Sequence, residues 1–257
     1  MMTLQLATMY CAVSGSLARL YLNRPEVHNA ANWAWVKDLV TVTDYLQRQP
    51  DVQVVIVSGK GRSFCSGLDT KELAHGNLPL EWFDTWERGM TALSALNAIS
   101  IASIHGYCLG GGLQLALACD LRIAAEDAVL SIPAVREGVV AALGPMRLAR
   151  LIGSSQAKWL CLLGRRFSAT EGQRLGIIHE VAPPEKLEEQ TNALAEELLS
   201  LPFTALHHTK RQIDLAFEND IATLTEEFLQ AQQECLQSPE HAELMAEYRA
   251  REAFRKK

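Results

Sequence analysis

The sequence predicts an α/β fold, because short apolar strands alternate with helical segments before a more charged, helical region begins. Val52–Ser58 and Ile101–Ile104 are nearly continuous apolar runs, which are typical of strands buried on both faces. Residues 32–48 have the pattern of a helix that stops before a proline. We therefore expect an α/β core over residues 1–195 and a helical C-terminal region over residues 196–257.

The chain opens with a predicted β-hairpin. Tyr10–Val13 and Leu17–Leu22 are short strand patterns, and a Ser-Gly turn at 14–15 joins them. Pro25 follows soon after the second strand, and proline has no N–H group to continue a ladder. The hairpin therefore ends before this residue.

Strand and helix patterns continue to alternate beyond the centre of the chain. Leu121–Ala124 is a short strand pattern, and Ser168 with Glu171 forms a capping box that marks the start of a helix. Gly176 ends that helix, and Ile177–Val181 is the next predicted strand. Three amphipathic helices are then predicted in the C-terminal region, over Leu206–Phe217, Leu224–Leu236 and Ala242–Phe254.

Composition and charge narrow the classes of function. The chain has 257 residues, 48% of them hydrophobic, which is enough for one large domain or a domain with an appendage. Its net charge of −6 argues against nucleic acid as the main partner. The six cysteines show no CxxC spacing, which indicates reduced, buried thiols, and we predict no metal site. The first 18 residues contain no Lys or Arg and no apolar run could span a bilayer, so we expect a soluble, cytoplasmic protein with no membrane partner.

Residues 104–120 form the most informative stretch of the chain. A short apolar run meets Gly110, Gly111 and Gly112, and a helix of small residues follows at once. This layout places free backbone N–H groups at a helix N-terminus, where they bind an anion or a developing oxyanion. Because glycine has no side chain, a ligand can approach this backbone closely.

Further distinctive segments lie before and after this stretch: 22–30 with its early Asn-Arg-Pro motif, 59–69, 164–181 and, near the end, Lys210 and 248–257. Together with 104–120 they cover nearly the whole chain and resemble, in the same order, motifs of the crotonase superfamily of enoyl-CoA hydratases and isomerases. Residues 59–69 resemble the first oxyanion loop of this superfamily, and 104–120 the second. The resemblance implies a crotonase-like spiral of ββα units with a helical C-terminal region that mediates assembly into a homotrimer or hexamer.

The resemblance also implies an acyl-CoA ligand and an oxyanion hole built from the backbone N–H groups of Leu68 and Gly111. Enolising a thioester builds negative charge on its carbonyl oxygen, and loss of one such donor typically costs about 3 kcal/mol. No cofactor is implied beyond the coenzyme A of the substrate itself, and an acyl group on a carrier protein is an alternative ligand. The adjoining loop residues implied to contact the substrate are Ser66, Gly67, Asp69 and Gly110.

The nucleotide half of coenzyme A needs cations or backbone partners near its phosphates. Arg24, Lys60 and Arg62 are candidates by position, although each is equally well explained as a solvated surface charge. By resemblance, His28 and Asn29 shape the turn that borders the adenine.

Three positions where the resemblance implies an acidic residue carry none. The superfamily's hydratases use two glutamates, which align with Gln114 and Ala134. An amide takes up no proton near neutral pH, although it can orient a water or a polar ligand group. An aspartate used by some other relatives aligns at or near Ala142. The sequence therefore does not predict an efficient hydratase.

Glu137 is a candidate replacement for the missing acids. It lies three residues past Ala134, about one helical turn, and is predicted either to turn into the pocket or to stay at the surface in an ion pair with Arg136. We favour the surface pair. Arg136 is alternatively predicted to hold a substrate carboxylate.

Residues 74–90 show no regular pattern, and we predict a mobile flap there. Glu72 and His75 follow the first oxyanion loop, where some relatives place a catalytic group, but we favour exposed surface positions for both. Trp82 and Trp86 are four residues apart, and they either cover an apolar acyl pocket or pack in the core.

Three residues beside the glycine loop have simpler explanations than catalysis. Tyr107 and Cys108 are expected to be packed rather than reactive. His105 is expected to hydrogen-bond the backbone at the end of a strand.

Three classes of function are compared with these observations. The first is a lyase or isomerase that stabilises a thioester enolate in the oxyanion hole, with isomerisation, decarboxylation, hydrolysis and slow hydration all open. Decarboxylation is attractive because its enolate forms without a protein base. The second is a non-catalytic acyl-CoA carrier or sensor, in which Gln114 and Ala134 reflect lost chemistry. A third, a pure interaction module, explains the helical tail but not the oxyanion loops.

Overall fold

The computed structural model describes residues 2–255, so Lys256 and Lys257, which end the resembling segment 248–257, lie outside the described residues. The chain divides into two compact units, with the boundary after Glu196. The first unit mixes strands and helices, which confirms the predicted α/β class, and the second is helical. The sequence placed the boundary one residue earlier, and the roles that it gave to the two parts stay predictions.

Two β-sheets organise the first unit. The larger has the order β1-β2-β3-β4-β5-β7-β10, and the smaller has the order β6-β8-β9. In the larger sheet, β1 to β3 pair antiparallel and all later neighbours pair parallel. The strands are β1 (Met2–Gln5), β2 (Met9–Ser14), β3 (Leu17–Leu22), β4 (Val54–Gly59), β5 (Ile99–Ile104), β6 (Tyr107–Leu109), β7 (Leu121–Ala125), β8 (Val129–Ser131), β9 (Phe167–Ser168) and β10 (Glu180–Ala182).

The helices connect these strands and then form the C-terminal unit. Helix α4 carries the glycine triplet at its N-terminus, between β6 and β7. The helices are α1 (Trp33–Gln47), α2 (Thr70–Ala74), α3 (Leu80–Ser94), α4 (Gly111–Ala118), α5 (Gly144–Leu163), α6 (Ala169–Arg174), α7 (Leu187–Leu199), α8 (Phe203–Leu215), α9 (Ile221–Gln237) and α10 (Pro239–Arg255). Gly153 has a φ of +78° and interrupts α5, which is therefore two helical segments joined at a kink.

The predicted hairpin and buried strands are confirmed. β2 and β3 pair antiparallel from Met9 opposite Leu22 to Ser14 opposite Leu17. Every residue of β5 is buried, as its continuous apolar run predicts. Strand β1 was missed, since its four residues are mostly exposed and carry little apolar pattern.

The predicted flap at 74–90 is wrong, because most of it is the regular helix α3. Trp82, Trp86, Met90 and Leu93 are buried on one face of this helix, at the spacing that a helical period requires. The aromatic and polar residues between them obscured that period in the sequence.

The predicted strand Ile177–Val181 begins too early. The N–H groups of Ile177 and Ile178 both donate to the Gly172 carbonyl, at 2.8 and 3.2 Å, so these residues form a turn after α6. Only Glu180–Ala182 pairs with β7.

The three predicted C-terminal helices are confirmed as α8, α9 and α10. The Glu240 carboxylate accepts bonds from the backbone N–H groups of Phe203 and Thr204, both at 3.1 Å, at the start of α8. At the start of α9, the Asp220 side chain accepts a bond from the Thr223 N–H at 2.8 Å. None of the helices within residues 2–255 is both long and apolar enough to cross a membrane.

Candidate active site

Two loops meet beside the N-terminus of α4, and both are fixed by backbone hydrogen bonds. Cys65 pairs with Cys108 in an isolated bridge, in which the Leu109 N–H donates to the Cys65 carbonyl at 3.0 Å. On the other side, Leu68 pairs with Ala31. The first loop therefore lies between the glycine loop and the segment after the early Asn-Arg-Pro motif.

Glycine is required where the loops touch. Gly67 has a φ of +96°, and a Cβ atom built on it would lie 2.7 Å from the Leu109 carbonyl oxygen and 3.0 Å from the Gly111 nitrogen. A Cβ on Gly112 would overlap the Cys65 carbonyl oxygen. The spacing of these two loops thus depends on glycines that both motifs contain.

The backbone N–H groups of Leu68 and Gly111 donate to none of the residues that the structure describes. Their neighbours, by contrast, are bonded: the Asp69 N–H donates to the Ala31 carbonyl at 2.9 Å, and the Gly110 N–H donates to the Ser131 carbonyl at 2.8 Å. Two free N–H groups on loops that touch each other, one of them at a helix N-terminus, are the arrangement expected of a site for an anion or a developing oxyanion.

These two N–H groups lie where two cavities adjoin. An outer cleft of about 820 Å³ and an inner cavity of about 40 Å³ share Ser66, Leu68, Pro133 and Glu137 in their linings. Gly111 lines the inner cavity. A ligand that spans both spaces passes the free donors.

Gln114 lines the inner cavity and is only 4% exposed. Its Oε1 accepts a hydrogen bond from the Trp86 indole N–H at 3.4 Å. Since an indole N–H can only donate, the oxygen of the amide must face Trp86 and the NH₂ group must face away. That NH₂ group donates to none of the described residues.

Three stacked tryptophans support this cavity. The ring centroids of Trp35 and Trp86 are 5.1 Å apart, and those of Trp82 and Trp86 are 5.3 Å apart. Trp82 and Trp86 line the inner cavity and are both 2% exposed, so they serve the core and the pocket wall together. A Cβ on Gly111 would overlap the Trp86 ring, which explains this glycine as well.

The other two positions implied to be acidic bring no titratable group to the cavity. Ala134 and Ala142 both line it with methyl groups. Ala142 has a φ of +41°, an unusual conformation for a residue with a Cβ. The loop around it is held by Glu87, whose carboxylate accepts the Leu143 N–H at 2.8 Å and pairs with Arg147 at 2.8 Å.

Glu137 lines both cavities, and it is the sole titratable residue among the described residues that line the inner one. Glu137 is exposed, as the favoured surface position predicted, but the predicted ion pair with Arg136 is wrong, because the Arg136 guanidinium donates to the carbonyls of Leu163 and Gly164 at 2.7 to 3.1 Å. Glu137 has no hydrogen bond or ion pair with any described residue. Its carboxylate is therefore free to interact with a ligand.

The outer cleft is lined by four cationic residues and two carboxylates. The sequence argument missed Lys71, Arg165 and Arg166 as cleft residues, since only the fold brings the start of α2 to the segment after α5. Arg165 stacks on Trp159, with 4.3 Å between its guanidinium carbon and the ring centroid. The remaining lining charges are Arg136, Asp69 and Glu137.

None of the three cations proposed from sequence lines the outer cleft, and two of them have partners within the protein. Arg24 pairs with Asp69 at 3.4 Å and also donates to the Ala30 carbonyl, so it braces the first loop. Lys60 lies 4.0 Å from the centroid of Tyr21. Neither Arg24, Lys60 nor Arg62 contributes to the lining of the outer cleft, and their binding roles stay predictions.

His28 and Asn29 both have left-handed backbone conformations, at φ of 53° and 58°. The fully buried Asn29 amide donates to the carbonyls of Lys60, Ser63 and Phe64 at 2.8 to 3.0 Å. The His28 ring hydrogen-bonds the Ser63 hydroxyl at 3.0 Å. These two residues therefore shape the turn before the first oxyanion loop.

Other predicted positions lie away from the cavities. His75 is exposed and bonds the Lys71 carbonyl at 2.7 Å, while Glu72 accepts a bond from Asn77 at 2.9 Å. His105 bonds the Gly61 carbonyl at 3.1 Å, which confirms the predicted backbone contact. Residues 2–255 contain no cluster of three or more metal-ligating His, Cys, Asp or Glu side chains.

The cysteines beside the loops are buried and unreactive in character. Burial raises the pKa of the Cys65 thiol to about 12. Burial also raises the pKa of Cys108, as the packed position predicted for it requires. Tyr107 is 38% exposed, so the prediction that it is packed is wrong; its ring lies edge-on to His28.

Comparison with known proteins decides the family. A model of the enoyl-CoA hydratase/isomerase family matches residues 12–255. The chain belongs to this family. Among its relatives, the mitochondrial enoyl-CoA hydratase domain-containing protein 2 of Bos taurus is 38% identical over 224 residues, which is 83% of this chain and 76% of that protein.

Solved structures share the fold of this enoyl-CoA hydratase/isomerase family member. The enoyl-CoA hydratase of Bacillus anthracis superimposes on this chain with a TM-score of 0.89 at 29% identity. The superposition includes 95% of this chain and 97% of the Bacillus chain. A Thermobifida fusca protein solved in complex with acetoacetyl-CoA has a TM-score of 0.81 at 29% identity, over 90% of this chain and 95% of its own. The crotonase-like fold implied by the sequence motifs is therefore confirmed.

Proposed function

We propose that this family member binds an acyl-CoA thioester and acts as a lyase or isomerase that stabilises the thioester enolate. The observation that carries the proposal is the pair of unpartnered N–H groups at Leu68 and Gly111, where the outer cleft meets the inner cavity. Two fixed donors aimed at one oxygen stabilise the charge that develops on a thioester carbonyl.

The two cavities differ in the way that a CoA thioester requires. The outer cleft is large and carries Lys71, Arg165 and Arg166, which suit the phosphates of the nucleotide. The inner cavity is small and lined by tryptophans and alanines, which suits a short acyl group. The Thermobifida fusca neighbour solved with acetoacetyl-CoA supports the ligand class.

Efficient hydration is not part of the proposal. Adding water to an enoyl thioester needs groups that move protons near neutral pH. Gln114 and Ala134 supply an amide and a methyl group at the positions where the resemblance implies glutamates. Loss of a carboxylate substituent places less demand on protein acids and bases, because the electron pair of the broken bond forms the enolate as CO₂ leaves and the oxyanion hole stabilises it.

The second candidate function is a non-catalytic acyl-CoA carrier or sensor. It is favoured by the lining of the inner cavity, where Glu137 is the one titratable side chain among the described residues. In this case the oxyanion donors bind the ground-state carbonyl and no bond is broken. As in the enzyme, assembly into a trimer or hexamer is expected of the helical C-terminal region.

Incubation with a panel of short acyl-CoAs in deuterated buffer separates the two functions. Native mass spectrometry reports binding, while product masses and α-deuterium incorporation report chemistry. We expect binding together with exchange or a new product mass. Binding with neither supports the carrier or sensor, and no binding to any acyl-CoA contradicts both. An acyl group on a carrier protein, tested alongside, identifies the thioester carrier.

A further inference from the structure

We infer that Gln114 selects a short acyl group that carries a neutral hydrogen-bond acceptor at its β-carbon, which makes a 3-oxoacyl thioester the preferred ligand. This inference rests on the proposed function, because it assumes that the thioester carbonyl occupies the donors at Leu68 and Gly111. It names the substrate class of that site.

The first argument is the unpaired donor. Gln114 is 4% exposed, and its oxygen is taken by the Trp86 indole, which leaves the NH₂ group without a partner among the described residues. Gly144 packs against the aliphatic part of the side chain, since a Cβ there would lie 2.6 Å from Gln114 Cγ. The amide is therefore held in one orientation, and its NH₂ group faces the inner cavity, where a ligand can supply the acceptor that the described residues do not.

The second argument is distance along the helix. Gly111 and Gln114 are three residues apart on α4, so they lie on one face with about 5 to 6 Å between neighbouring positions. A thioester oxygen at the Gly111 N–H places the α- and β-carbons of the acyl group beside Gln114. An oxygen on the β-carbon is then within reach of the free NH₂ group.

The third argument is charge. No lysine, arginine or histidine is among the described residues that line the inner cavity, whereas the Glu137 carboxylate is. A carboxylate on the ligand would lose its hydration without gaining a cation from the inner cavity, which weakens its binding. A neutral carbonyl oxygen accepts a hydrogen bond from the same Gln114 NH₂ group without the cost of removing a charge from water.

The fourth argument is size. A cavity needs about 10 to 15 Å³ of accessible volume to hold one water molecule. The inner cavity, with about 40 Å³, therefore holds about three groups of that size. A β-carbon, its oxygen and one methyl group match this space, so a short acyl group is favoured.

The test compares affinities by isothermal titration calorimetry of the intact wild-type protein. Acetoacetyl-CoA is matched with butyryl-CoA, which has the same chain length but lacks the β-oxygen. We expect acetoacetyl-CoA to bind about 10-fold tighter, since a buried donor gains its partner. Equal affinities overturn the inference but leave the proposed function intact, whereas failure of both ligands to bind contradicts the proposed function itself.

Two variants assign the preference to the Gln114 donor. Gln114→Met removes the donor with little change in volume, and Gln114→Glu keeps an oxygen for Trp86 while replacing the NH₂ group. Both should lower the ratio of acetoacetyl-CoA affinity to butyryl-CoA affinity from about 10 to about 1, whatever change the substitution itself makes to butyryl-CoA binding. Butyryl-CoA binding also shows that the variants are folded, and a preference that survives in both variants overturns the role of Gln114.

Two further ligands define the acceptor. Malonyl-CoA places a carboxylate and 3-hydroxybutyryl-CoA a hydroxyl group where acetoacetyl-CoA has its carbonyl. We expect both to bind more weakly than acetoacetyl-CoA. Tighter binding of either one overturns the assignment of a 3-oxo group.

Discussion

The backbone half and the side-chain half of this site differ in what they supply. The backbone half consists of the loops around Gly67 and Gly111, which present two unpartnered N–H groups within a dense set of backbone hydrogen bonds. The side-chain half consists of Gln114, Ala134 and Ala142, which present an amide and two methyl groups. The site is therefore equipped to stabilise negative charge but has few groups that move protons.

The two halves of the site depend on the sequence in different ways. The backbone donors depend on glycines that permit a φ of +96° at Gly67 and close contact at Gly111 and Gly112, so the fold itself maintains them. The side-chain groups depend on single positions that change without disturbing the fold. A family member can thus retain the first half of the site while its reaction changes through the second.

The largest expected effect comes from breaking the backbone half with Gly67→Ala. The new Cβ would lie 2.7 Å from the Leu109 carbonyl oxygen, which forces the loops apart and moves the Leu68 N–H. We expect a loss of about 100-fold in the rate of α-deuterium exchange, as for removal of one oxyanion donor. The measurement is α-deuterium exchange of butyryl-CoA in deuterated buffer, because the α-protons of this thioester, unlike those of a 3-oxoacyl thioester, do not exchange readily on their own.

Gly76→Ala is the matched control for this substitution. Gly76 also has a positive φ, +71°, but nothing lies within 4 Å of a Cβ built there. It should lose some stability and keep its exchange rate. A similar loss of exchange in both variants would mean that backbone strain, rather than the position of the Leu68 donor, causes the effect.

The second-largest effect is expected from adding carboxyl groups to the side-chain half of the site. The double variant Gln114→Glu, Ala134→Glu adds two carboxyl groups to the inner cavity and is expected to hydrate a short enoyl-CoA at least about 10-fold faster than wild type. The control is the double variant Gln114→Glu, Ala134→Gln, whose two new side chains have nearly the same volume as those of the first variant but carry one carboxyl group fewer. Hydration that does not exceed wild type in the first variant would contradict the alignment of these positions with the family's glutamates.

How far the sequence predicts this site follows from the same division. The glycine loops, the hairpin and the buried strands are local patterns, and the structure confirms the elements that they predicted. The cations of the outer cleft come from segments almost 100 residues apart, so neither pattern nor spacing indicates that Lys71 and Arg166 share one cleft. The partner of Arg136 was likewise mispredicted, because two backbone carbonyls at the end of α5 compete with the adjacent Glu137.

A smaller effect is expected from the charges of the outer cleft. Arg166→Ala removes an exposed cation from the cleft lining, and we expect affinity for CoA to fall about 3-fold, and less at high salt. Lys60→Ala is the control, because Lys60 lies over Tyr21 rather than in the cleft lining. If a CoA titration shows a larger loss of affinity for Lys60→Ala than for Arg166→Ala, the phosphates bind at Lys60, as the sequence predicted, and not in the outer cleft.

The smallest effect concerns the thiol within the first loop. With a pKa of about 12, Cys65 is about one part in ten thousand thiolate at pH 8, and its thiol donates to the Asn29 carbonyl at 3.2 Å. Iodoacetamide should therefore leave Cys65 unlabelled in the folded protein and label it after unfolding, as peptide mass mapping would show. Rapid labelling in the folded state would mean that the loop carries a nucleophile which this account omits.

A crystal structure of the wild-type protein with butyryl-CoA tests the central claim most directly, since this thioester has no β-oxygen to compete for donors. The account predicts that the thioester carbonyl oxygen lies within about 3.1 Å of the backbone nitrogens of both Leu68 and Gly111, with the acyl chain beside Gln114. A carbonyl oxygen bound elsewhere, with both N–H groups still unpartnered, would contradict it.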